Sequence, residues 1–213
     1  MKKIAFFGGS SGLGVKVINH LSNYDVQSIN SKLVDLRESN QISNYFFENT
    51  DIDVVVIFSN YNYNSFLHKY KNNPDEMEKQ IDVNIKGVTN CVSHALDAMR
   101  KNSYGRIIIA SSITVEKNVI GTSVYAACKS YYENLVKTIA LENASKNITA
   151  NCIQLGYMDG GLTYTLDPQF LEDTLDRIPA KRLGTPKEIA TTIDFLIKNE
   201  YVNGSTIKLT GGL

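Results

Sequence analysis

The chain alternates, from one end to the other, between short apolar runs and longer stretches of helical spacing. The runs are Lys3–Phe7, Val26–Ile29, Val54–Phe58, Arg106–Ala110, Ala150–Gln154 and Ser205–Leu209. Most are continuously apolar, the pattern of strands covered on both faces. Helices are expected between them at Leu13–Ser22, Ser39–Glu48, Pro74–Arg100, Val124–Ala144 and Pro186–Ile197. Such alternation implies a parallel sheet with helices on both sides, since parallel neighbours need a crossover. Right-handed crossovers then give an α/β, Rossmann-type doubly wound sheet. No repeat or Pro/Gly/Ser-rich linker interrupts it, so residues 1–213 read as one domain. Between Ile29 and Ser39 there is no room for a helical crossover. Leu33-Val34 is at most a stub of strand, and the sheet is expected to be shortened between its second and fourth strands.

Charge and cysteine usage narrow the possible partners. Lys+Arg and Asp+Glu both number 22, which gives no electrostatic case for nucleic acid or an anionic membrane. Cys91, Cys128 and Cys152 lie far apart without CxxC spacing, as reduced thiols of a cytoplasmic protein do. His20, His68 and His94 are equally scattered, and no metal site is expected from them. No segment approaches the ~20 apolar residues that span a bilayer. The glycosylation-type triplets at Asn143, Asn147 and Asn203 read as chance matches in an unsecreted chain.

Two motifs carry chemistry. Gly8-Gly9-Ser10-Ser11-Gly12-Leu13-Gly14 follows a strand and opens a helix. Glycines there allow a tight turn and close backbone approach to a pyrophosphate, while the helix start offers free N–H groups. A plain strand-to-helix turn would use the same residues. The second motif is Tyr125 with Lys129, four apart and so on one helix face. A nearby ammonium favours the phenolate and lowers a tyrosine pKa from about 10, making a proton-transfer pair. Ser112 lies at the end of a strand, where an α/β sheet lines its ligand crevice.

Gly8, Gly12 and Gly14, Gly105-Arg-Ile-Ile-Ile-Ala-Ser-Ser112, Tyr125-Ala-Ala-Cys-Lys129 and Asp82-Val83-Asn84-Ile85-Lys86-Gly87 together resemble the short-chain dehydrogenase/reductase family. Asn151-Cys-Ile-Gln-Leu155-Gly156, Ile178–Ala190 and the tail Thr210-Gly-Gly-Leu213 extend the likeness over nearly the whole chain, most closely to 3-oxoacyl carrier-protein reductases. The resemblance implies hydride exchange between NAD(P)(H) and a carbonyl or alcohol. Tyr125 would be the proton donor in reduction, and Ser112 would orient the carbonyl. Lys129 would lower the tyrosine pKa and bind the nicotinamide ribose. Asn84 would bend its helix and hold a water in the proton relay. Coenzyme contacts are implied for Gly8, Ser10, Ser11, Gly12, Leu13, Gly14, Asn30, Ser31, Asp35, Leu36, Ser59, Asn60, Gly156 and Met158.

The chain departs from the family pattern at several of these points. Phe7 stands where a Thr is usual, Ile57-Phe58-Ser59-Asn60 replaces Asn-Asn-Ala-Gly, Leu155 replaces a Pro and Gly160 a Thr. Asn60 tolerates left-handed geometry and would preserve the bend of the missing Gly. The second strand ends in Asn30-Ser31-Lys32 rather than an acid, which favours NADP(H) over NAD(H). Asp35 is either an adenine contact or a solvated loop acid. Substrate choice is expected in Asn60–Asn73, rich in Tyr and Asn, and in a lid at Tyr157–Arg177 with a short helix around Leu171–Leu175. Tyr and Asn suit a polar ring such as a sugar and are equally ordinary loop residues. The helices at Pro74–Arg100 and Val124–Ala144 resemble those that family members pair into homodimers and homotetramers. Two other readings stand beside the reductase: a related nucleotide-sugar dehydratase or epimerase, and a weakly active or inactive dinucleotide-binding sensor or scaffold.

Overall fold

In the computed structural model, which describes residues 1–10 and 12–213, six parallel strands form one twisted sheet. They are β1 (Lys3–Phe7), β2 (Asp25–Ile29), β3 (Val54–Ile57), β4 (Gly105–Ser112), β5 (Ile148–Leu155) and β6 (Thr206–Leu209). Their order is β2-β1-β3-β4-β5-β6. The helices are α1 (Gly12–Ile18), α2 (Ser39–Glu48), α3 (Pro74–Ile81), α4 (Val88–Asn102), α5 (Ser123–Asn143), α6 (Pro168–Arg177) and α7 (Pro186–Lys198).

Strand side chains alternate between two cores, as the period of two requires. Phe7, Ile57, Ile109 and Cys152 pack against residues of α2, α4 and α5, including Ile42, Val92 and Tyr132. Phe6, Val56, Ile108 and Ile153 face α1 and α7 through Val17, Ile189 and Ile193. Both faces of the sheet are therefore dry, which explains the continuously apolar strands. The chain leaves β1 for β2 on one side and returns to β3 on the other. That reversal opens a crevice at the carboxyl ends of the strands, where ligands bind in sheets of this kind. Among the described residues no helix is long and apolar enough to cross a membrane.

Four local expectations change. Leu33-Val34 forms no strand: the Asn30 side chain accepts from the N–H groups of Lys32 (2.9 Å) and Leu33 (3.1 Å), closing a turn instead. Helix α1 stops at Ile18 rather than Ser22, because the next N–H groups, of His20 and Leu21, bond three residues back. The long helix at 74–100 is two helices joined by a π-helical turn at Asp82–Gly87. The lid helix is longer, Pro168–Arg177, with Asp167 capping it through the N–H groups of Gln169 and Phe170.

Candidate active site

A cleft of about 1120 Å³ runs along the carboxyl ends of β1, β3, β4 and β5. Its floor begins at the glycine loop, where two glycines are dictated by close approach. A Cβ on Gly8, whose φ is +87°, would lie 2.5 Å from the Ser59 nitrogen, and one on Gly14 would lie 2.1 Å from the Gly8 carbonyl oxygen. The loop is thus compressed between the end of β3 and the start of α1 before any ligand is considered. Ser59 is tied to it by an N–H bond to the Phe7 carbonyl at 2.9 Å.

Of the residues singled out for coenzyme contact, Gly8, Ser10, Gly12, Leu13, Gly14, Asn30, Ser31, Asp35, Leu36, Ser59, Asn60, Gly156 and Met158 all line this cleft. Ser11 falls outside the described residues. Ser112, Tyr125 and Lys129 line it too, brought together from the end of β4 and the first turns of α5. Strand β4 runs on to Ser112, so this serine sits within the sheet rather than on a loop beyond it. Its hydroxyl accepts from Thr114 at both N–H (3.2 Å) and Oγ1 (3.0 Å), and Thr114 lines the cleft as well.

Burial dominates the electrostatics of Tyr125 and Lys129. Desolvation pushes the Tyr125 phenol up to about 12, against a hydrogen bond with Ser112 that works in the opposite direction. Desolvation likewise pushes the Lys129 ammonium down to about 8. The lowering of the tyrosine pKa expected from Lys129 is absent here. The Lys129 Nζ donates to the Ala110 carbonyl at 3.0 Å and stands 5.4 Å from the Tyr125 ring centre.

Asn84 does not line the cleft with the other three. It sits fully buried in the π turn, where its Oδ1 accepts from the Tyr61 N–H (2.9 Å) and its Nδ2 donates to the Tyr61 carbonyl (2.7 Å). The amide thus ties the segment after β3 to the π turn. Asn60 does not adopt the left-handed bend expected of it. The only non-glycine residues with positive φ among those described are Ser103, Asn147 and Lys181.

The far end of the cleft is built from turns. Asn30 lines it, but its side-chain oxygen serves the turn described above. Asp35 lines the cleft and is paired with Arg37. It receives the Arg37 N–H at 3.0 Å and clasps the Arg37 guanidinium at 2.5 to 3.1 Å. Those bonds hold the Asp35 carboxyl below the usual carboxylate range. Arg37 also lines the cleft and was not singled out from the sequence; its signal was the Asp-x-Arg spacing in a turn too short for a crossover. A second missed group is Lys16 of α1. Its Nζ donates to the Asp159 carbonyl and the Tyr164 hydroxyl, both at 3.1 Å, and so fastens the lid to the glycine-loop helix.

The residues present fit an elongated nucleotide. The glycine loop and the Ser10 and Ser31 side chains line the cleft, a guanidinium marks one end and a buried phenol the other. A dinucleotide-type Rossmann cleft with a Ser-Tyr-Lys group at its end defines an oxidoreductase class. The profile of the family described as enoyl-(acyl carrier protein) reductase matches residues 34–213. The 3-oxoacyl-(acyl-carrier-protein) reductase MabA of Mycobacterium tuberculosis is 26% identical over 228 residues, covering 100% of this chain and 92% of its own. Acetoacetyl-CoA reductase of Shinella zoogloeoides is 35% identical over 164 residues, 76% of this chain and 67% of its own. A solved structure of an ElxO variant with NADPH bound superposes with a TM-score of 0.87 at 23% identity, covering 99% of this chain and 98% of that one. The chain belongs to the short-chain dehydrogenase/reductase family of oxidoreductases.

Proposed function

We propose that the protein is an NADP(H)-dependent reductase that interconverts a 3-oxoacyl thioester and its 3-hydroxy counterpart in the cytoplasm, as a homodimer or homotetramer. The observation that carries this reading is the convergence of Ser112, Tyr125 and Lys129 on the cleft that starts at the glycine loop. The nicotinamide ring, when bound, supplies or accepts the hydride. The chain's own residues do the rest. Ser112, held by Thr114, orients the substrate oxygen. The Tyr125 hydroxyl gives it a proton in reduction and takes one back in oxidation. Lys129, released from the Ala110 carbonyl, supplies the ammonium that lowers the tyrosine pKa and binds a ribose hydroxyl. Asn84 acts by fixing Tyr61 on the cleft wall.

The coenzyme reading rests on Arg37 beside the neutral Asn30-Ser31 turn, a pocket suited to an added phosphate. The substrate reading rests on the wall made by Ile113, Ile120, Leu155, Leu162, Leu166 and Phe170, an apolar surface that suits an acyl chain better than a sugar. The names of the MabA and acetoacetyl-CoA reductase relatives point the same way. Titration of the purified protein with NADPH and NADH tests the reading. Saturable binding with NADPH preferred is expected; no binding of either at millimolar concentration overturns the reading in favour of a scaffold.

A further inference from the structure

Ser112 and Tyr125 belong to different elements, and their separation depends on what ties the end of β4 to the first turns of α5. Besides the hydrogen bond between Ser112 and Tyr125 and the Ser111 hydroxyl on the Lys129 carbonyl at 3.4 Å, two side-chain links do so near the site. One is the Lys129 ammonium on the Ala110 carbonyl, at 3.0 Å. Under the proposed function that ammonium has other work, so this link is not available throughout the cycle. The other link uses no reacting group. Glu133 lies four residues after Lys129 and hence on the same face of α5. Its Oε1 accepts from the Ser111 hydroxyl at 2.6 Å and from the Gln154 Nε2 at 3.0 Å. Ser111 directly precedes Ser112 in β4, and Gln154 precedes Leu155 and Gly156 at the end of β5, on the cleft wall.

Both donors are neutral and buried, Ser111 at 3% exposure and Gln154 at 0%. Glu133 itself is half-buried, so its carboxylate reaches in from the helix surface to meet them. The Gln154 Oε1 is itself buried without a donor, so the cluster satisfies only the N–H side of that amide. What it achieves is mechanical: one carboxylate gathers the ends of β4 and β5 onto the helix that carries Tyr125 and Lys129.

We infer that Glu133 is a positioning residue of the active site, acting through Ser111 and Gln154 to set the distance between Ser112 and Tyr125. The inference rests on the proposed reductase activity. Glu133→Ala is expected to lower kcat roughly tenfold, as a displaced catalytic pair does. The Kd for NADPH should change by less than about twofold, because no glycine-loop contact is touched. Glu133→Gln keeps an acceptor for Ser111 and should restore most of kcat. Ser111→Ala should lower kcat in the same sense, and the Ser111→Ala/Glu133→Ala pair should be no worse than Glu133→Ala alone. Full kcat in Glu133→Ala overturns the role, as does a parallel loss of kcat and NADPH affinity with a lowered unfolding midpoint. If Glu133→Ala does not fold, Ser111→Ala, which removes one hydroxyl, decides by the same criteria. A wild-type protein that turns over no carbonyl with NADPH ends the reductase reading and this role with it; wild-type turnover with unchanged variants ends this role alone.

Discussion

The two ends of the cleft are made differently. At the end proposed for catalysis Ser112, Tyr125 and Lys129 ride on a strand and a long helix, and all three are nearly inaccessible, at 9%, 8% and 3% exposure. At the far end Asn30, Asp35 and Arg37 sit in a turn at the edge of the sheet and are organised by local hydrogen bonds within a few residues. The first arrangement fixes geometry by packing and pays in desolvation, as the displaced pKa values of Tyr125 and Lys129 show. The second is cheap and adjustable, because an exposed ion pair costs little to rearrange. Chemistry demands fixed angles, while recognition of a coenzyme's end tolerates a shorter, turn-built platform.

That contrast can be broken most sharply at Tyr125. Tyr125→Phe should lower NADPH-dependent carbonyl turnover by about 10²- to 10⁴-fold, the usual worth of a general acid, with NADPH affinity nearly unchanged. Equal turnover by the variant removes the proton-donor role. Next in size is Gly14→Ala, whose new Cβ would lie 2.1 Å from the Gly8 oxygen. It should lower stability by about 1–3 kcal/mol and abolish tight NADPH binding, measured by urea unfolding and calorimetry.

Lys129 gives a test of burial itself. Its folded pKa of about 8 lies below the ordinary 10.5. Between those values the unfolded chain binds more protons than the folded one, so this group's contribution to stability rises with pH and is lowest below about pH 8. Lys129→Met should therefore be more stable than the wild type near about pH 7, with the advantage shrinking toward about pH 10. A constant difference in urea midpoints across that window contradicts the displaced pKa.

At the turn-built end effects should be smaller. Arg37→Ala should weaken NADPH binding about tenfold and leave NADH binding unchanged; equal losses for both would deny Arg37 a part in phosphate recognition. Smallest of all, Lys16→Met should unfasten the exposed latch to Asp159 and Tyr164 and speed NADPH release by about twofold, with the difference vanishing at high salt.

The same division runs through what could be read from the sequence. The strands, the alternation of helices and the missing crossover after Ile29 follow from apolar runs and spacing, which are local properties. Ser112, Tyr125 and Lys129 were singled out chiefly through the resemblance of the segments Gly105–Ser112 and Tyr125–Lys129 to the family, since a Tyr-Lys pair four apart is common on helix surfaces. Arg37, Thr114 and Glu133 were not, since their importance comes from contacts made across turns or between elements. The π turn at Asp82–Gly87 was foreshadowed only as a bend, because nothing in its periodicity differs from an α-helix. The bend expected at Asn60 did not form: tolerance of left-handed backbone is a local property, and the φ of Asn60 is not positive in the folded chain.

The most direct measurement is to follow the label from nicotinamide-deuterated NADPH into product with a 3-oxoacyl thioester as substrate. The account predicts deuterium on the new carbinol carbon of a 3-hydroxyacyl product, formed by the wild type and lost with Tyr125→Phe. Absence of labelled alcohol with saturating NADPH, across short and long acyl chains, would contradict the assignment of this cleft to carbonyl reduction.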